Sequence, residues 1–181
     1  MPRLANFATV KRIALLSDTH GYHDERIAHH VSSCDEIWHA GDIGTPAVSD
    51  ALAALKPLRA VFGNIDGHEL RRMHPIEQHF QMEGFTVWMT HIVGRPGSYS
   101  KGIPELIRQR KPDILICGHS HILKVARDPA YNLLYINPGA AGIHGFHKMR
   151  TLLRFTLDSG QIKDMEVVEL GLRGQLNDQM A

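Results

Sequence analysis

The chain has 181 residues, of which 43% are hydrophobic and 22% charged, a composition typical of a globular domain. Lys and Arg total 20 against 19 Asp and Glu, so the overall charge gives no general reason to bind nucleic acid or acidic membranes. No apolar run is long enough to span a bilayer, and we expect no membrane partner.

The first half of the chain alternates short apolar runs with stretches of helical periodicity. The runs predict strands, and the periodic stretches predict helices. The strands span 11–18, 36–42 and 58–64, and the helices span 24–33 and 45–56. Thr45 is placed to cap the second helix, and Pro46 suits its first turn. This β-α-β order predicts parallel strands joined by right-handed crossovers.

The second half is dominated by patterns typical of antiparallel strands. The predicted elements are hairpins over 77–91 and 151–170, a helix over 102–111, a strand over 113–119 and two strands within 121–139. We predict an α/β (α+β) fold, a four-layer αββα sandwich of two mixed β-sheets flanked by helices. A single domain should span 1–181, with its core at about 11–170 and terminal extensions at 1–10 and 171–181.

The cysteines indicate the compartment. Cys34 and Cys117 are the only two, and Cys117 lies inside a predicted core strand. The N-terminal segment lacks the long apolar region of a signal peptide. Both observations favour free thiols in a reducing compartment, so we expect a cytoplasmic protein.

Histidine is unusually frequent, with 13 residues, and several histidines and acidic residues follow predicted strands. In α/β folds ligands gather beyond the carboxyl ends of strands, so these side chains can converge on one small volume. Period two should place both side chains of an Asp-x-His or His-x-His pair on one side of an extended segment. Ser120, between His119 and His121, should therefore point away from the site. The candidates are Asp18, His20, Asp42, Asn64, His91, His119 and His121.

The donor types indicate a metal centre. Mixed nitrogen and oxygen donors suit Mn²⁺, Fe or Zn²⁺ better than Ca²⁺, and the set is large enough for two ions sharing one carboxylate. Each motif alone has an ordinary alternative, because Asp-x-His and Gly-Asp commonly form turns and a lone His91 is often only hydrogen-bonded. The hypothesis depends on all the motifs occurring together, each at a strand end.

The chain resembles the calcineurin-like metallophosphoesterase superfamily over about residues 11–170. The shared motifs are Asp18-x-His20, Gly41-Asp42, Gly63-Asn64, His91 and Gly118-His119-x-His121. The small size, Gly63-Asn64-x-Asp66 and the segment 137–139 are most similar to the compact YfcE-like phosphodiesterase branch. The retromer subunit called vacuolar sorting protein 29 shares that small fold.

The resemblance implies two divalent metal ions, with Mn²⁺ as the first expectation and Fe, Zn²⁺ or Ni²⁺ as alternatives. The first ion would be held by Asp18, His20 and His121, the second by Asn64, His91 and His119, and Asp42 would bridge them. Asp42, Asn64 and His119 would act in catalysis with a metal-bridging hydroxide that attacks phosphorus in line.

Several positions leave alternatives open. His39 and Asp66 are candidates for supporting the ligands, but a plain hydrogen-bonded histidine and a turn-capping carboxylate are equally compatible with the sequence. Ile65 stands where much of the superfamily has a histidine that assists the leaving group, so the general acid is unassigned. His23 and His68 are either substitutes for it or solvated loop residues. Ile92 directly after His91 departs from many relatives, which have glycine there, and weakens the match at that ligand.

These observations predict a metal-dependent phosphodiesterase that acts on a small phosphodiester. The alternatives are a phosphomonoesterase or dinucleoside-polyphosphate hydrolase at the same site, a zinc hydrolase of another bond type, or a catalytically weak protein-interaction scaffold of the same fold. Residues 95–102 are Gly-rich and basic, and form either a rim that contacts substrate or a solvated loop. Exposed edge strands are compatible with a homodimer or higher homo-oligomer.

Overall fold

The computed structural model describes residues 10–174, which include two five-stranded sheets. The first sheet contains, in spatial order, β12 (Gln161–Leu172), β11 (Met149–Asp158), β1 (Lys11–Leu16), β2 (Glu36–His39) and β3 (Leu58–Ala60). β1, β2 and β3 run parallel, and β11 and β12 form an antiparallel ribbon beside β1. Leu15 at the centre of this sheet pairs with Trp38 on one side and Leu153 on the other.

The second sheet has the same mixed character. It contains, in spatial order, β4 (Glu77–Met82), β5 (Phe85–Thr90), β8 (Ile114–Ile116), β10 (Leu133–Pro138) and β9 (Leu123–Asp128). β5, β8 and β10 are parallel, whereas the edge strands β4 and β9 are antiparallel to their neighbours. The parallel strands β5, β8 and β10 are therefore interior to the second sheet, as β1 and β2 are to the first, whereas the parallel strand β3 forms an edge. Interior parallel strands have both of their faces covered.

Three apolar layers hold the fold together. Helices α1 (Glu25–Ser32) and α2 (Pro46–Leu55) cover the outer face of the first sheet, and α4 (Ile103–Arg110) covers that of the second. The inner faces meet in a buried cluster that includes Leu15, Trp38, Met89, Ile116 and Phe155. Burying each such side chain contributes about 1.5–3 kcal/mol. The predicted four-layer αββα sandwich is confirmed.

The local differences have simple causes. Helix α3 (His68–Met73) was not predicted, because its six residues bury only Leu70 and present no apolar stripe. The segment predicted as a loop contains a short hairpin of β6 (Gly94–Arg95) and β7 (Ser98–Tyr99). Thr45 occupies the N-cap of α2 without a side-chain hydrogen bond.

The predicted terminal extensions fall largely on residues 1–9 and 175–181, which lie outside the described residues. β12 continues through Leu172, two residues beyond the predicted end of its hairpin. Among residues 10–174, no helix combines the length and apolar character needed to cross a membrane.

Candidate metal centre

The candidate ligands follow the parallel strands of both sheets. Asp18 and His20 come after β1, and Asp42 comes after β2 in the same sheet. His91 directly follows β5, and His119 follows β8 in the facing sheet. Because the carboxyl ends of parallel strands share one edge, these loops meet at a single place where the two sheets come together.

One cluster of donor atoms combines Asp18, His20 and His121, whose ligand atoms all lie within 4.8 Å of one another. His121 Nε2 lies 3.3 Å from Asp18 Oδ1 and 3.2 Å from His20 Nε2. His20 Nε2 lies 3.9 Å from the same Asp18 oxygen. One carboxylate and two imidazoles thus face a common point, in the grouping that the family resemblance implies for the first ion.

A second cluster combines Asp42, His91 and His119, again with ligand atoms within 4.8 Å. His91 Nε2 lies 3.2 Å from Asp42 Oδ1, and the rings of His91 and His119 are 5.4 Å apart between centroids. His119 also reaches the first cluster through its backbone, because its N–H donates to both Asp18 carboxylate oxygens at 3.2 and 3.1 Å. The two histidines of the His119-x-His121 motif therefore belong to different clusters.

Asp42 faces both clusters with different oxygens. Its Oδ1 lies 3.2 Å from His91 Nε2, and its Oδ2 lies 3.7 Å from His20 Nε2. The backbone N–H of Ile65 donates to Oδ1 at 3.1 Å and helps to fix the carboxylate. This orientation is the one that a bridging carboxylate requires.

The groups around His91 Nε2 favour a bound cation. Its Nδ1 lies 2.8 Å from the Ala40 carbonyl oxygen, so Nδ1 carries the proton and donates it. The Nε2 atom then carries a lone pair instead of a proton. This atom is buried and lacks an aligned hydrogen-bond partner, and it faces the carboxylates of Asp42 and Asp18. Burial alone would lower the pKa of His91, but the two carboxylates outweigh burial and raise that pKa. A proton or a metal ion between these groups resolves the conflict, and the donor set fits a divalent metal.

Five candidate ligands have left-handed backbone conformations, with φ of 54° at Asp18, 49° at His20, 53° at Asp42, 68° at His119 and 57° at His121. Non-glycine residues adopt this region at a cost of about 1–2 kcal/mol, and such strain clusters at functional sites. The expected role of period two is wrong, because β1 ends at Leu16 and β8 at Ile116. Left-handed turns beyond the strands, rather than pleated segments, carry both pairs.

Two glycines make room for the carboxylates. A Cβ on Gly63 would lie 2.0 Å from Asp42 Oδ1 and 2.3 Å from the Asp42 backbone nitrogen. A Cβ on Gly118 would lie 2.7 Å from Asp18 Oδ2. The glycines of the Gly-Asn and Gly-His motifs are therefore required for close packing against the cluster.

Asn64 is less clearly engaged than the other candidates. Its side chain is exposed, and it lines a cavity of about 300 Å³ together with His91. Its backbone carbonyl accepts a hydrogen bond from Arg71 at 3.3 Å. The structure thus places Asn64 beside the second cluster, where it remains a predicted ligand.

His39 and Asp66 lie behind the clusters. Thr19 donates its hydroxyl proton to the Ile43 carbonyl, so it accepts from His39 Nε2 at 2.9 Å. The Gly41 N–H donates to His39 Nδ1 at 3.2 Å, so both ring nitrogens of a neutral imidazole are satisfied. Burial lowers the pKa of His39 to about 4 and keeps it neutral. His39 therefore holds together the loops that carry Asp18 and Asp42.

Asp66 performs a similar task for the next loop. Its buried carboxylate accepts backbone N–H bonds from Ile43 at 3.1 Å, Gly44 at 2.7 Å and Gly63 at 2.7 Å. These bonds join the loop after β2 to the loop after β3. The carboxylate therefore supports the backbone around Asp42 and Asn64, with no described contact to a ligand side chain.

Sequence reasoning missed two histidines in the segment 142–148. His147 Nδ1 lies 3.3 Å from His121 Nδ1, and His147 Nε2 lies 3.0 Å from the Gly142 carbonyl oxygen. The His144 ring centroid lies 6.3 Å from that of His20. The spacing of His144 and His147 around Gly145 was the available signal, but no strand end or motif marked it.

Two cavities open beside the second cluster. The first contains Asn64 and His91, with walls formed by Phe62, Ile76 and Ile92. The second, of about 340 Å³, contains His119, Ser120, Arg95 and Lys124. Ser120, expected to point away from the site, instead lines this second cavity. His23 and His68 line neither cavity and have no described contact with either cluster.

Comparisons with known proteins show which family and which folds this chain is similar to. The family model for the calcineurin-like phosphoesterase superfamily domain matches residues 12–160. A Mycoplasma pneumoniae protein named probable metallophosphoesterase is 31% identical over 163 residues, which cover 85% of this chain and 94% of that protein.

Solved structures show the same fold. Vps29 of Chaetomium thermophilum has a TM-score of 0.72 at 13% identity, covering 88% of this chain and 97% of its own. A structure described as a novel archaeal phosphodiesterase has a TM-score of 0.66 at 21% identity, covering 88% of this chain and 99% of its own. At these identities the likeness shows the architecture alone.

Proposed function

The chain belongs to the calcineurin-like phosphoesterase superfamily, and on this premise we propose that it is a dinuclear metal-dependent phosphodiesterase. The observation that carries the proposal is the orientation of Asp42, whose two oxygens face His91 at 3.2 Å and His20 at 3.7 Å. A single carboxylate between two donor clusters is the arrangement that two neighbouring ions need.

The residues divide into two ligand sets around that carboxylate. Asp18, His20 and His121 would hold one ion, Asn64, His91 and His119 the other, and Asp42 both. When bound, two such ions supply a nucleophilic hydroxide at neutral pH and neutralise phosphate oxygens. Asp42, Asn64 and His119 would touch the reacting phosphate or its nucleophile. The Ala40 carbonyl orients His91 through a hydrogen bond of 2.8 Å, and the Thr19 hydroxyl orients His39 through one of 2.9 Å.

The two cavities favour a diester over a monoester. A phosphodiester carries two substituents, and the second cluster is flanked by two separate spaces of about 300 and 340 Å³. Both volumes are within the range of small-molecule sites. The archaeal phosphodiesterase of the same architecture is consistent with this choice.

The ion and the compartment complete the proposal. Imidazole and carboxylate donors suit Mn²⁺ first, with Fe, Zn²⁺ and Ni²⁺ as alternatives. Cys34 and Cys117 are both free and buried, which suits a reducing cytoplasm.

Metal reconstitution tests the proposal directly. The protein is stripped with a chelator, reloaded with Mn²⁺, and assayed on bis(4-nitrophenyl) phosphate and 4-nitrophenyl phosphate. We expect about two ions per chain, activity only after reloading, and faster hydrolysis of the diester.

The variant Asp42→Asn should lose metal at both clusters and lower turnover by about a hundredfold or more, because several kcal/mol of charge stabilisation are removed. Asp50→Asn, a matched change at an exposed position on α2, should leave both properties intact. Full metal content and turnover in Asp42→Asn would refute the assignment. Metal binding without hydrolysis of either ester would instead favour the alternative of a protein-interaction scaffold with the same fold.

A further inference from the structure

The cavity beside His119 differs chemically from its neighbour. Its polar lining consists mainly of donors, namely Arg95 on β6, Lys124 on β9, Ser98 on β7 and Ser120 next to His119. No aspartate or glutamate is among its lining residues. The cavity beside Asn64 is instead walled by Phe62, Ile76 and Ile92.

The two cations in this cavity are uncommitted. Within residues 10–174, neither Arg95 nor Lys124 forms an ion pair. Arg71 in the other cavity is already engaged, because it donates to the Asp66 and Asn64 carbonyl oxygens at 2.7 and 3.3 Å. Its guanidinium also lies 4.6 Å from the centre of the Phe62 ring.

Ser120 supplies a further donor. Its Oγ accepts hydrogen bonds from Asn137 Nδ2 at 3.1 Å and from the Ile122 backbone N–H at 3.3 Å. The hydroxyl proton has no acceptor among the described residues, and it is free to point into the cavity. Asn137 is buried and also donates to the Gly118 carbonyl at 2.8 Å, so its side chain is fixed and in turn fixes the position of Ser120.

We infer that the groove formed by Arg95, Lys124 and Ser120 binds a second anionic group, a phosphate on the non-reacting arm of the substrate. This inference rests on the proposed function, since the groove adjoins His119 of the second cluster. Guanidinium, ammonium and hydroxyl donors without a competing carboxylate are the chemistry that recognises a phosphate. The other arm, of apolar or planar character, then lies in the cavity walled by Phe62 and Ile92.

Two nitrophenyl esters that differ by one phosphate test the groove. Thymidine 5′-(4-nitrophenyl phosphate) and its 3′-phosphorylated counterpart both release 4-nitrophenolate, so one absorbance assay compares them. The wild type should show a kcat/KM roughly tenfold higher for the 3′-phosphorylated ester, as two partly exposed charge pairs would provide. The double variant Arg95→Ala/Lys124→Ala should abolish this preference, and Ser120→Ala should reduce it.

Arg127→Ala is the matched control, because Arg127 is exposed on the same strand as Lys124 and does not line the groove. It should retain the full preference. Calorimetry of the Mn²⁺-loaded protein with thymidine 3′,5′-bisphosphate and thymidine 5′-monophosphate measures the same discrimination without turnover.

The outcomes separate the two levels of inference. The groove assignment is overturned if the wild type shows ratios near one, both of kcat/KM for the two esters and of affinity for the two nucleotides. It is also overturned if Arg95→Ala/Lys124→Ala retains the wild-type preference. Either result leaves the phosphodiesterase proposal intact. If neither ester is hydrolysed but the bisphosphate still binds more tightly to the wild type than to the double variant, the groove assignment stands and the proposed function fails.

Discussion

The contact between His147 and His121 allows a sharp test of how the first cluster is prepared for a metal. The Gly142 carbonyl can only accept, so His147 Nε2, 3.0 Å away, carries the proton. Burial lowers the pKa of His147, so the ring is neutral near pH 7 and its Nδ1 is an acceptor. His121 must then donate from Nδ1 across 3.3 Å, which leaves its Nε2 lone pair directed at Asp18.

Two substitutions at His147 separate its hydrogen bond with His121 from its hydrogen bond with the Gly142 carbonyl. His147→Asn places an oxygen near the former Nδ1 and keeps an acceptor for His121, whereas His147→Gln keeps an amide donor for Gly142 and loses that acceptor. Residues that orient a ligand histidine typically contribute 10–100-fold to metal affinity. Because the hydrogen bond between His147 and His121 is long, at 3.3 Å, we expect an effect on metal affinity at the lower end of this range. His147→Gln should weaken the first site about tenfold, or about 1.4 kcal/mol, and His147→Asn should recover most of it.

Calorimetric titration of the stripped protein with Mn²⁺ measures the affinities, and His121→Ala identifies which binding step belongs to the first site. Nitrogen-detected NMR of the metal-free protein reports the tautomer of His121, a property that a purely structural role of His147 would not set. Equal affinities for the Asn and Gln variants, or a His121 ring protonated on Nε2 in the wild type, would refute the reasoning.

Three further predictions follow from separate features. Gly63→Ala should lower the free energy of unfolding by about 2–3 kcal/mol and reduce metal content, because its Cβ would lie 2.0 Å from Asp42 Oδ1. Gly67→Ala, whose Cβ meets nothing within 4 Å, should cost about 1 kcal/mol or less in urea titrations, and equal effects would contradict this account. Burial depresses the pKa of His39 to about 4, so its stabilising contribution is present above the unfolded value of 6.5 and is lost as pH falls. Between pH 7 and 5 the wild type should therefore lose about 2 kcal/mol more stability than His39→Gln, and parallel pH profiles would exclude this role. Burial raises the pKa of the Cys117 thiol to about 12, so a thiol reagent should label it only after unfolding. Rapid labelling of Cys117 in the native protein would contradict this prediction.

The layered fold was predictable from the sequence because its causes are local. Apolar runs such as Ile13–Leu16 and Ile114–Ile116 are continuous where parallel strands are covered on both faces, and the helices between them show their own period. The polar residues at the ends of these runs were recognisable because they interrupt a continuous apolar sequence. The candidate donors could be selected for the same reason, although their metal-binding role is still a prediction.

The supporting residues were not predictable in the same way. His147 reaches His121 from a segment that follows β10, and no sequence pattern relates two loops that meet only after the sheets have packed. Ser120 was expected to point outward because an extended backbone was assumed. The positive φ of its neighbours His119 and His121 removed that assumption, and Ser120 lines the groove.

The left-handed conformations at the five candidate ligands also affect how the protein would respond to selection. Glycine adopts this backbone region freely, so replacing Asp42 or His119 by glycine relieves local strain while removing a donor. Without metal, the left-handed backbone at these positions has an energetic cost that no bound ion offsets. A laboratory screen for heat resistance alone would enrich inactive sequences, whereas a screen that also demands metal-dependent turnover would keep these residues and find its gains elsewhere.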